Sequence, residues 1–201
     1  MRVTKEAEER RNEILDVADR LFCQKGFDGT STNDILKEVG IARGTLYYHF
    51  KSKEEIMNAI IDRYNQKISH AASLVASNKA YTVEERILQV LMSMKLSQYT
   101  KQSEELIEQI HKPQNAYMHQ KSQKGLTTHI IPILANLIEE GIEEGKFKTT
   151  VPYECMEMIF IYTMTLLDGD IIELSKEETF SRLKALQINI ERLLGCEEGT
   201  L

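Results

Sequence analysis

The sequence predicts an all-α protein of about nine helices, and two observations carry that prediction. The chain has 201 residues, 42% of them hydrophobic, but only 10 glycines and 3 prolines, the residues that most often interrupt helices. Apolar residues recur every three to four positions along most of its length, which is the spacing of an amphipathic helix. We expect an N-terminal three-helix domain followed by a longer helical domain.

The N-terminal helices have recognisable start and stop signals. Ser31 with Asp34 three residues later has the pattern of a capping box, and Ser52 with Glu55 repeats it. Gly40 supplies a stop, because glycine readily adopts the left-handed conformation that ends helices. The helices predicted in this part cover residues 6–25, 32–39, 43–50 and 53–77.

Five further helices are predicted in the rest of the chain. Pro113 marks a break, since proline disfavours helix in the residue before it. Gly125 and Pro132 lie within the longest segment, which we therefore expect to be kinked or split. The predicted ranges are 82–100, 103–111, 114–145, 152–173 and 176–195.

Composition and motifs exclude several classes of protein. The chain has no run of about 18 apolar residues and no apolar signal core near its start, so we expect a cytoplasmic protein. Its three cysteines are far apart, which argues against disulfides or a zinc site. No nucleophile elbow, metal motif or glycine-rich phosphate loop occurs, so no enzymatic activity, cofactor or metal is predicted.

Two short helices joined by Gly40-Ile41-Ala42, with a longer helix before them, have the outline of a helix-turn-helix. Apolar residues such as Ile35 and Leu46 would lock the second short helix against the first. Arginine can form bidentate bonds to guanine, and threonine or tyrosine can contact a thymine methyl or a phosphate. The exposed face of that second helix would carry Arg43, Gly44, Thr45, Tyr48 and His49.

Other residues of this region are suited to DNA phosphates. The helix starts at Ser31 and Thr32 and at Lys53 would present N–H groups and positive dipole ends, and Tyr47 adds a hydroxyl. Gly44 costs about 1 kcal/mol of helix propensity, and a close approach of the DNA backbone would explain its presence. The net charge of the chain is −6, but residues 39–53 contain three basic residues and no acidic one.

The segments 26–35 and 40–56 resemble the N-terminal signature of the tetracycline-repressor (TetR) family. The resemblance implies that Ser31 or Thr32, Tyr47, His49 and Lys53 hold phosphates, whereas Arg43, Gly44, Thr45 and Tyr48 face bases. Ala42 departs from the family pattern, which often has serine or threonine there. This change removes a helix cap worth about 1 kcal/mol and one expected phosphate contact.

The last two predicted helices are expected to form the dimer interface. The segment 158–167 is almost entirely apolar, so it needs apolar partners on two sides. Two helices from each subunit would form a four-helix interface about a two-fold axis, as in the resembled family. The residues assigned to this interface are Ile159, Thr163, Leu167, Leu183, Leu186 and Ile190.

Methionine and aromatic residues of the C-terminal part fit either an ordinary core or an adaptable apolar pocket. The candidate pocket residues are Met92, Tyr99, Tyr117, Met118, Phe160 and Met164. We predict residues 1–53 to be the DNA-binding domain and residues 54–201 the ligand-binding and dimerisation domain.

The function predicted from these features is that of a DNA-binding transcription regulator. It would act as a homodimeric, ligand-released repressor of a near-palindromic double-stranded operator, with an unidentified small-molecule effector. Two alternatives stay open: an activator of the same fold, and a helical carrier of small molecules or lipids with no DNA role.

Overall fold

The computed structural model describes the backbone of residues 2–96, 111–112, 115–168 and 174–200, and the side chains of these ranges apart from 2–5, 92–96 and 167–168. All regular elements within these ranges are helices, which confirms the all-α class. The eight described helices are α1 (Arg2–Lys25), α2 (Thr32–Val39), α3 (Arg43–His49), α4 (Lys53–Ala76), α5 (Val83–Leu96), α6 (Ala116–Glu143), α7 (Pro152–Asp168) and α8 (Lys176–Leu194).

The boundaries agree with the sequence predictions for most helices, with three differences. Helix α1 begins at Arg2 rather than near residue 6, because the polar residues before the apolar stripe continue the helix. Helix α6 is continuous from Ala116 to Glu143 with Pro132 inside it, so of the two expected alternatives, a kink or a split, the split does not occur. The ninth predicted helix, over 103–111, lies outside the described residues apart from a turn at its last position.

The described residues form two compact units. The N-terminal unit holds the residues up to Gln66 and those from 111 to Gln123, and the C-terminal unit holds Lys67–Leu96 and the residues from Lys124 onward. The division falls inside α4 rather than between residues 53 and 54. The cause is that the first half of α4 contributes apolar residues to one core and its second half to another.

The core of the N-terminal unit joins α1, α2, α3 and the first half of α4. Phe22 is fully buried, and its ring centroid lies 5.3 Å from that of Phe27. Thr30 is buried as well, and its hydroxyl donates to the carbonyl of Gly26 at 2.8 Å, which fixes the loop before α2. The fully or almost fully buried residues of this core include Ile14, Leu15, Ile35, Leu46, Phe50, Ile56, Met57 and Ile60.

A polar cluster also joins α1 to α4. Asp19 is only 1% exposed, and it accepts a hydrogen bond from the Tyr64 hydroxyl at 3.1 Å. Arg63 lies between two carboxylates, 2.5 Å from Asp16 and 3.5 Å from Asp19. A buried carboxylate needs such partners because its desolvation is otherwise costly. The cluster therefore fixes the middle of α4 against α1, the helix that supports the helix-turn-helix.

The C-terminal unit has its own apolar core and its own buried ion pair. Arg86 of α5 is 2% exposed, and its guanidinium donates to both carboxylate oxygens of Glu140 in α6. The same group donates to the carbonyl of Ala76 at 2.9 Å, at the end of α4. Three helices of this unit are therefore joined through one arginine. The apolar core includes Ala72, Val83, Ile87, Ile130, Leu134, Ile138, Phe147, Ile159 and Phe160.

Candidate nucleic-acid interface

The start of α2 is fixed by reciprocal hydrogen bonds. The backbone N–H of Asp34 donates to the Ser31 hydroxyl at 3.1 Å, and the N–H of Ser31 donates to the Asp34 carboxylate at 2.9 Å. The Ser31 hydroxyl, and then the Ser31 N–H, donate to the Asp34 carboxylate and hold the pKa of Asp34 below its ordinary value. The predicted capping box is thus confirmed. Because the box occupies the Ser31 hydroxyl and the Asp34 N–H, a phosphate at this end would meet only the other donors of the first turn.

The turn between the two short helices has the geometry that the sequence predicts. Gly40 has a φ of 73°, which is left-handed, and its N–H donates to the Leu36 carbonyl at 3.0 Å. Helix α3 begins after Ala42, which makes no side-chain cap hydrogen bond. As the sequence predicts, α3 has no side-chain cap. Its first N–H groups therefore have no capping side chain as an acceptor.

Helix α3 is anchored from one side and open on the other. Leu46 is 1% exposed in the core of the N-terminal unit, whereas Tyr48 is 79% exposed. Arg43 and Gly44 are exposed as well, while Thr45 and His49 are half-buried. The residues predicted to face DNA bases therefore share the accessible part of a short helix whose opposite side is packed. Such a helix can enter a major groove without rearrangement.

Gly44 has no structural need to be glycine within its own chain. A methyl group built at this position would meet no other atom within 4 Å, and the backbone is not left-handed there. Alanine is the better helix former by about 1 kcal/mol. Nothing in the described part of the fold accounts for the glycine, which matches the prediction that a partner approaches the backbone at this point.

Tyr47 is a residue of α3 whose side chain interacts both with its own helix and with the first turn of α2. The guanidinium carbon of Arg43 lies 5.5 Å from the centre of its ring, one helical turn away. Hydrogen bonds with Arg43 and then with Thr32, together with the arginine charge, lower the pKa of Tyr47. Tyr47 therefore links the predicted base-reading arginine to the first turn of α2.

His49 ends α3 next to two arginines of α1. Burial is the main reason that its pKa lies below the ordinary 6.5, and the charges of Arg11 and Arg10 lower it further. The ring of His49 also packs edge-on against that of Tyr48, with centroids 4.9 Å apart. Sequence reasoning assigned His49 to phosphate and gave α1 no part in the site. Only the fold brings the two arginines to this end of α3.

Lys53 occupies the first position of α4 and already has an internal partner. Its ammonium nitrogen donates to the carbonyl of Phe27 at 2.6 Å and lies 4.1 Å from the centre of the Phe27 ring. Lys53 thus ties the start of α4 to the loop before α2, a contact that sequence reasoning did not foresee. An ammonium has three donors, so a phosphate contact by the remaining two stays a prediction.

The candidate pocket residues that the structure describes fall in both units. Met118 is buried in the core of the N-terminal unit and Tyr117 is 66% exposed, whereas Phe160 and Met164 belong to the core of the C-terminal unit. Met118 is buried because the start of α6 packs with α1 and α4, and its role in a ligand pocket stays a prediction. The side chain of Met92 and all of Tyr99 lie outside the described residues.

The assigned interface residues differ in exposure. Ile159 is 2% exposed, so it is a core residue of its own protomer and its assignment to an interface is corrected. Its neighbours Met158 and Ile161 are 60% and 49% exposed. Each residue turns the helix by about 100°, and the phase of a helix that is apolar on all sides is not readable from sequence. Leu183 is exposed, Thr163, Leu186 and Ile190 are half-buried, and the Leu167 side chain is outside the described set.

An apolar groove of about 260 Å³ lies within the C-terminal unit, where α5, α7 and α8 meet. Four of the residues that line it had been assigned to the dimer interface, and none of the candidate pocket residues whose side chains are described does so. Gln187 supplies its one polar side chain. The lining residues are Ile87, Leu88, Leu91, Met156, Ile159, Leu183, Leu186, Gln187, Ile190 and Leu194.

Within the described ranges, no helix has the length and hydropathy needed to cross a membrane.

Two family models match separate parts of the sequence. Residues 14–60 match the bacterial regulatory proteins of the tetR family, and residues 98–189 match the tetracyclin repressor-like C-terminal domain. The first match contains the helix-turn-helix, and together the two span most of the chain.

Curated relatives align over part of their length. The regulator AcrR of Shigella flexneri is 49% identical over 55 residues, which are 27% of this chain and 26% of the relative. TtgR of Pseudomonas putida is 29% identical over 110 residues, which are 53% of this chain and 52% of the relative. The matched segments thus span about a quarter and about half of the lengths of these two regulators.

Solved structures show the same fold over nearly the whole chain. SmeT, the repressor of a multidrug efflux pump of Stenotrophomonas maltophilia, superposes with a TM-score of 0.66 at 18% identity, covering 95% of this chain and 92% of SmeT. An identity this low concerns the fold alone. The two family matches carry the assignment: this chain belongs to the TetR family of bacterial regulatory proteins.

Proposed function

We propose that this chain is a cytoplasmic DNA-binding transcription regulator that acts as a homodimer and is released from its operator by a small molecule. One observation carries the proposal: α3 is anchored by Leu46 and leaves Arg43, Gly44 and Tyr48 accessible. A guanidinium at the start of such a helix can bond bidentately to guanine, and the exposed tyrosine can contact a thymine methyl or a phosphate. Family membership makes a regulator the favoured reading over an enzyme or a lipid carrier.

Dimerisation is the second part of the proposal. Helices α7 and α8 carry large apolar side chains at the surface of the protomer, with Phe180 72% exposed and Met158 60% exposed. A second copy that covers these side chains would remove them from water. It would also set two copies of α3 about 34–36 Å apart, or a multiple of that distance, so a near-palindromic operator is expected.

The effector belongs to the C-terminal unit in this proposal. The unit offers apolar surface, including the groove of about 260 Å³, and the chain as a whole is acidic with a net charge of −6. A neutral, cationic or amphipathic apolar compound fits these properties better than a polyanion. If the effector weakens DNA binding, operator DNA must weaken effector binding by the same factor.

The experiment measures fluorescence anisotropy of labelled duplex DNA from upstream of the gene of this protein, with a shuffled duplex as competitor. The parent protein should prefer the upstream DNA, and Arg43→Ala should lower that preference by about 1–3 kcal/mol. Lys124→Ala, which removes an exposed charge from α6, is the matched control and should bind as the parent does. Equal binding of both duplexes by the parent would refute the proposed function.

A further inference from the structure

Arg11 of α1 lies next to the C-terminal end of the predicted recognition helix α3. Its guanidinium carbon is 5.0 Å from the centre of the ring of Phe50, and Phe50 is the residue that directly follows α3. Its positive charge is close enough to His49 to lower the pKa of that imidazole. Arg11 therefore lies beside a residue that is itself predicted to hold a phosphate, although α1 contributes nothing to the residues so far assigned to DNA.

Arg11 is available to a ligand, whereas the arginine beside it is engaged. The guanidinium of Arg10 is 2.5 Å from the carboxylate of Glu13. Arg11 is exposed, and none of the side chains that the structure describes forms an ion pair with it. Contact with an aromatic ring uses the face of a guanidinium and leaves the N–H groups at its edges free to donate.

An anion at this end of α3 would need a positive charge from elsewhere. The C-terminal end of a helix carries a partial negative charge, which repels phosphate. Burial, and then the charges of Arg11 and Arg10, lower the pKa of His49 and so disfavour a positive charge on its ring. Arg11 and the exposed Lys51 are cations that flank this end and offset the helix dipole. Arginine also matches the geometry of a phosphate group better than lysine, because it donates two parallel N–H bonds.

We propose that Arg11 is an additional DNA-phosphate-binding residue, which extends the contact surface from α2, α3 and the start of α4 onto α1. The inference rests on the proposed function, since it requires α3 to lie in a major groove. It concerns the DNA backbone, so it adds affinity for every sequence and no preference among sequences.

The test compares Arg11→Gln with the parent protein in anisotropy titrations on operator and shuffled duplexes over a range of salt concentrations. The variant should lose about the same factor of affinity for both duplexes. Its slope of log affinity against log salt should be smaller by about 0.9, the value for one phosphate contact. Lys124→Gln removes the same charge from an exposed position in α6 and should leave the slope unchanged.

Arg11→Lys separates phosphate binding from support of Phe50. The lysine variant keeps the charge and should restore the parent slope, even if its thermal midpoint falls because the contact with the ring is weaker. If Arg11 only covers Phe50, Arg11→Gln lowers the thermal midpoint but leaves the slope unchanged, which overturns the inference. A loss confined to the operator duplex also overturns it. If the parent itself does not prefer the operator, the proposed function fails instead, which is a distinct result.

Discussion

The guanidinium carbon of Arg43 lies 5.5 Å from the centre of the Tyr47 ring, one turn further along α3. Contact with the ring restricts the rotamers of Arg43 in the free protein. Less conformational entropy is therefore lost when Arg43 binds a base. Tyr47 also interacts with Thr32, which couples this arrangement to the start of α2. The tyrosine thus has two separable roles, through its ring and through its hydroxyl.

Tyr47→Phe and Tyr47→Ala should separate those roles. The phenylalanine variant keeps the ring beside Arg43 but loses the hydroxyl that bonds with Arg43 and Thr32, so it should retain part of the sequence preference, while affinity for all DNA falls by about 0.5–1.5 kcal/mol, the value of one hydrogen bond. The alanine variant should also lose preference, because Arg43 is no longer held. Competition binding with operator and shuffled duplexes measures both quantities. Loss of preference in Tyr47→Phe with unchanged affinity for shuffled DNA would contradict this account.

Leu183→Asp tests the proposed dimer. Leu183 is 37% exposed on α8, and an aspartate there would place a charge in the apolar contact between two copies. We expect sedimentation equilibrium to show dissociation and operator affinity to fall, because each monomer contacts one half-site. Leu74→Asp is the control, since Leu74 is 59% exposed on α4, outside the proposed contact. Dissociation of both variants to the same extent would argue against α8 as the interface.

Arg86→Met should be the most destabilising of these changes. It removes the guanidinium that is 2% exposed, leaves the carbonyl of Ala76 without that donor, and leaves Glu140 with Lys79 as its remaining cationic partner. The cost should be about 3 kcal/mol, the lower end of the range for a broken buried pair, because Glu140 is partly exposed and keeps its contact with Lys79. Urea unfolding measures the loss, and Arg182→Met, at an exposed position of α8, should change stability by less than about 0.5 kcal/mol. Equal stability of the two variants would show that the pair contributes nothing.

The same pair predicts an acid-dependent stability. Hydrogen bonds from Arg86 and then Lys79 lower the pKa of Glu140 from 4.5 to about 2. A carboxylate whose pKa is lowered on folding stabilises the fold fully above its unfolded pKa and loses that contribution as the pH falls towards its folded pKa. The free energy of unfolding should therefore fall between pH 4.5 and about 2. Glu140→Gln should show a shallower fall in this window, and an unchanged slope would contradict the assignment.

Local features of the fold were predictable from sequence, and contacts between distant residues were not. The Ser31–Asp34 capping box and the left-handed Gly40 depend on neighbouring residues, so their sequence pattern sufficed. The hydrogen bond from Lys53 to the Phe27 carbonyl joins residues 26 positions apart, and no local sequence pattern predicts it. Burial of Ile159 rather than Met158 depends on the phase of a helix that is apolar on every side.

Glycines also show how far sequence predicts structure, because the reason for a glycine differs from one position to another. Gly141 lies in α6, where a methyl group would overlap the ring of the buried Phe147. Gly44 lies in α3, where a methyl group would meet open space. Sequence reasoning expected a special role for Gly44 but none for Gly141, because the partner of Gly141 lies in the loop after its helix.

The central claim is that the first turn of α3 meets DNA, and Gly44→Ala tests it most directly. In the free protein the change should raise the free energy of unfolding by up to about 1 kcal/mol, because alanine favours helix and its methyl group meets nothing. Gly141→Ala is the control and should destabilise by about 1–3 kcal/mol through overpacking. If α3 meets DNA at this point, Gly44→Ala is at least as stable as the parent yet binds operator DNA more weakly. Undiminished operator affinity in this variant would contradict the central claim.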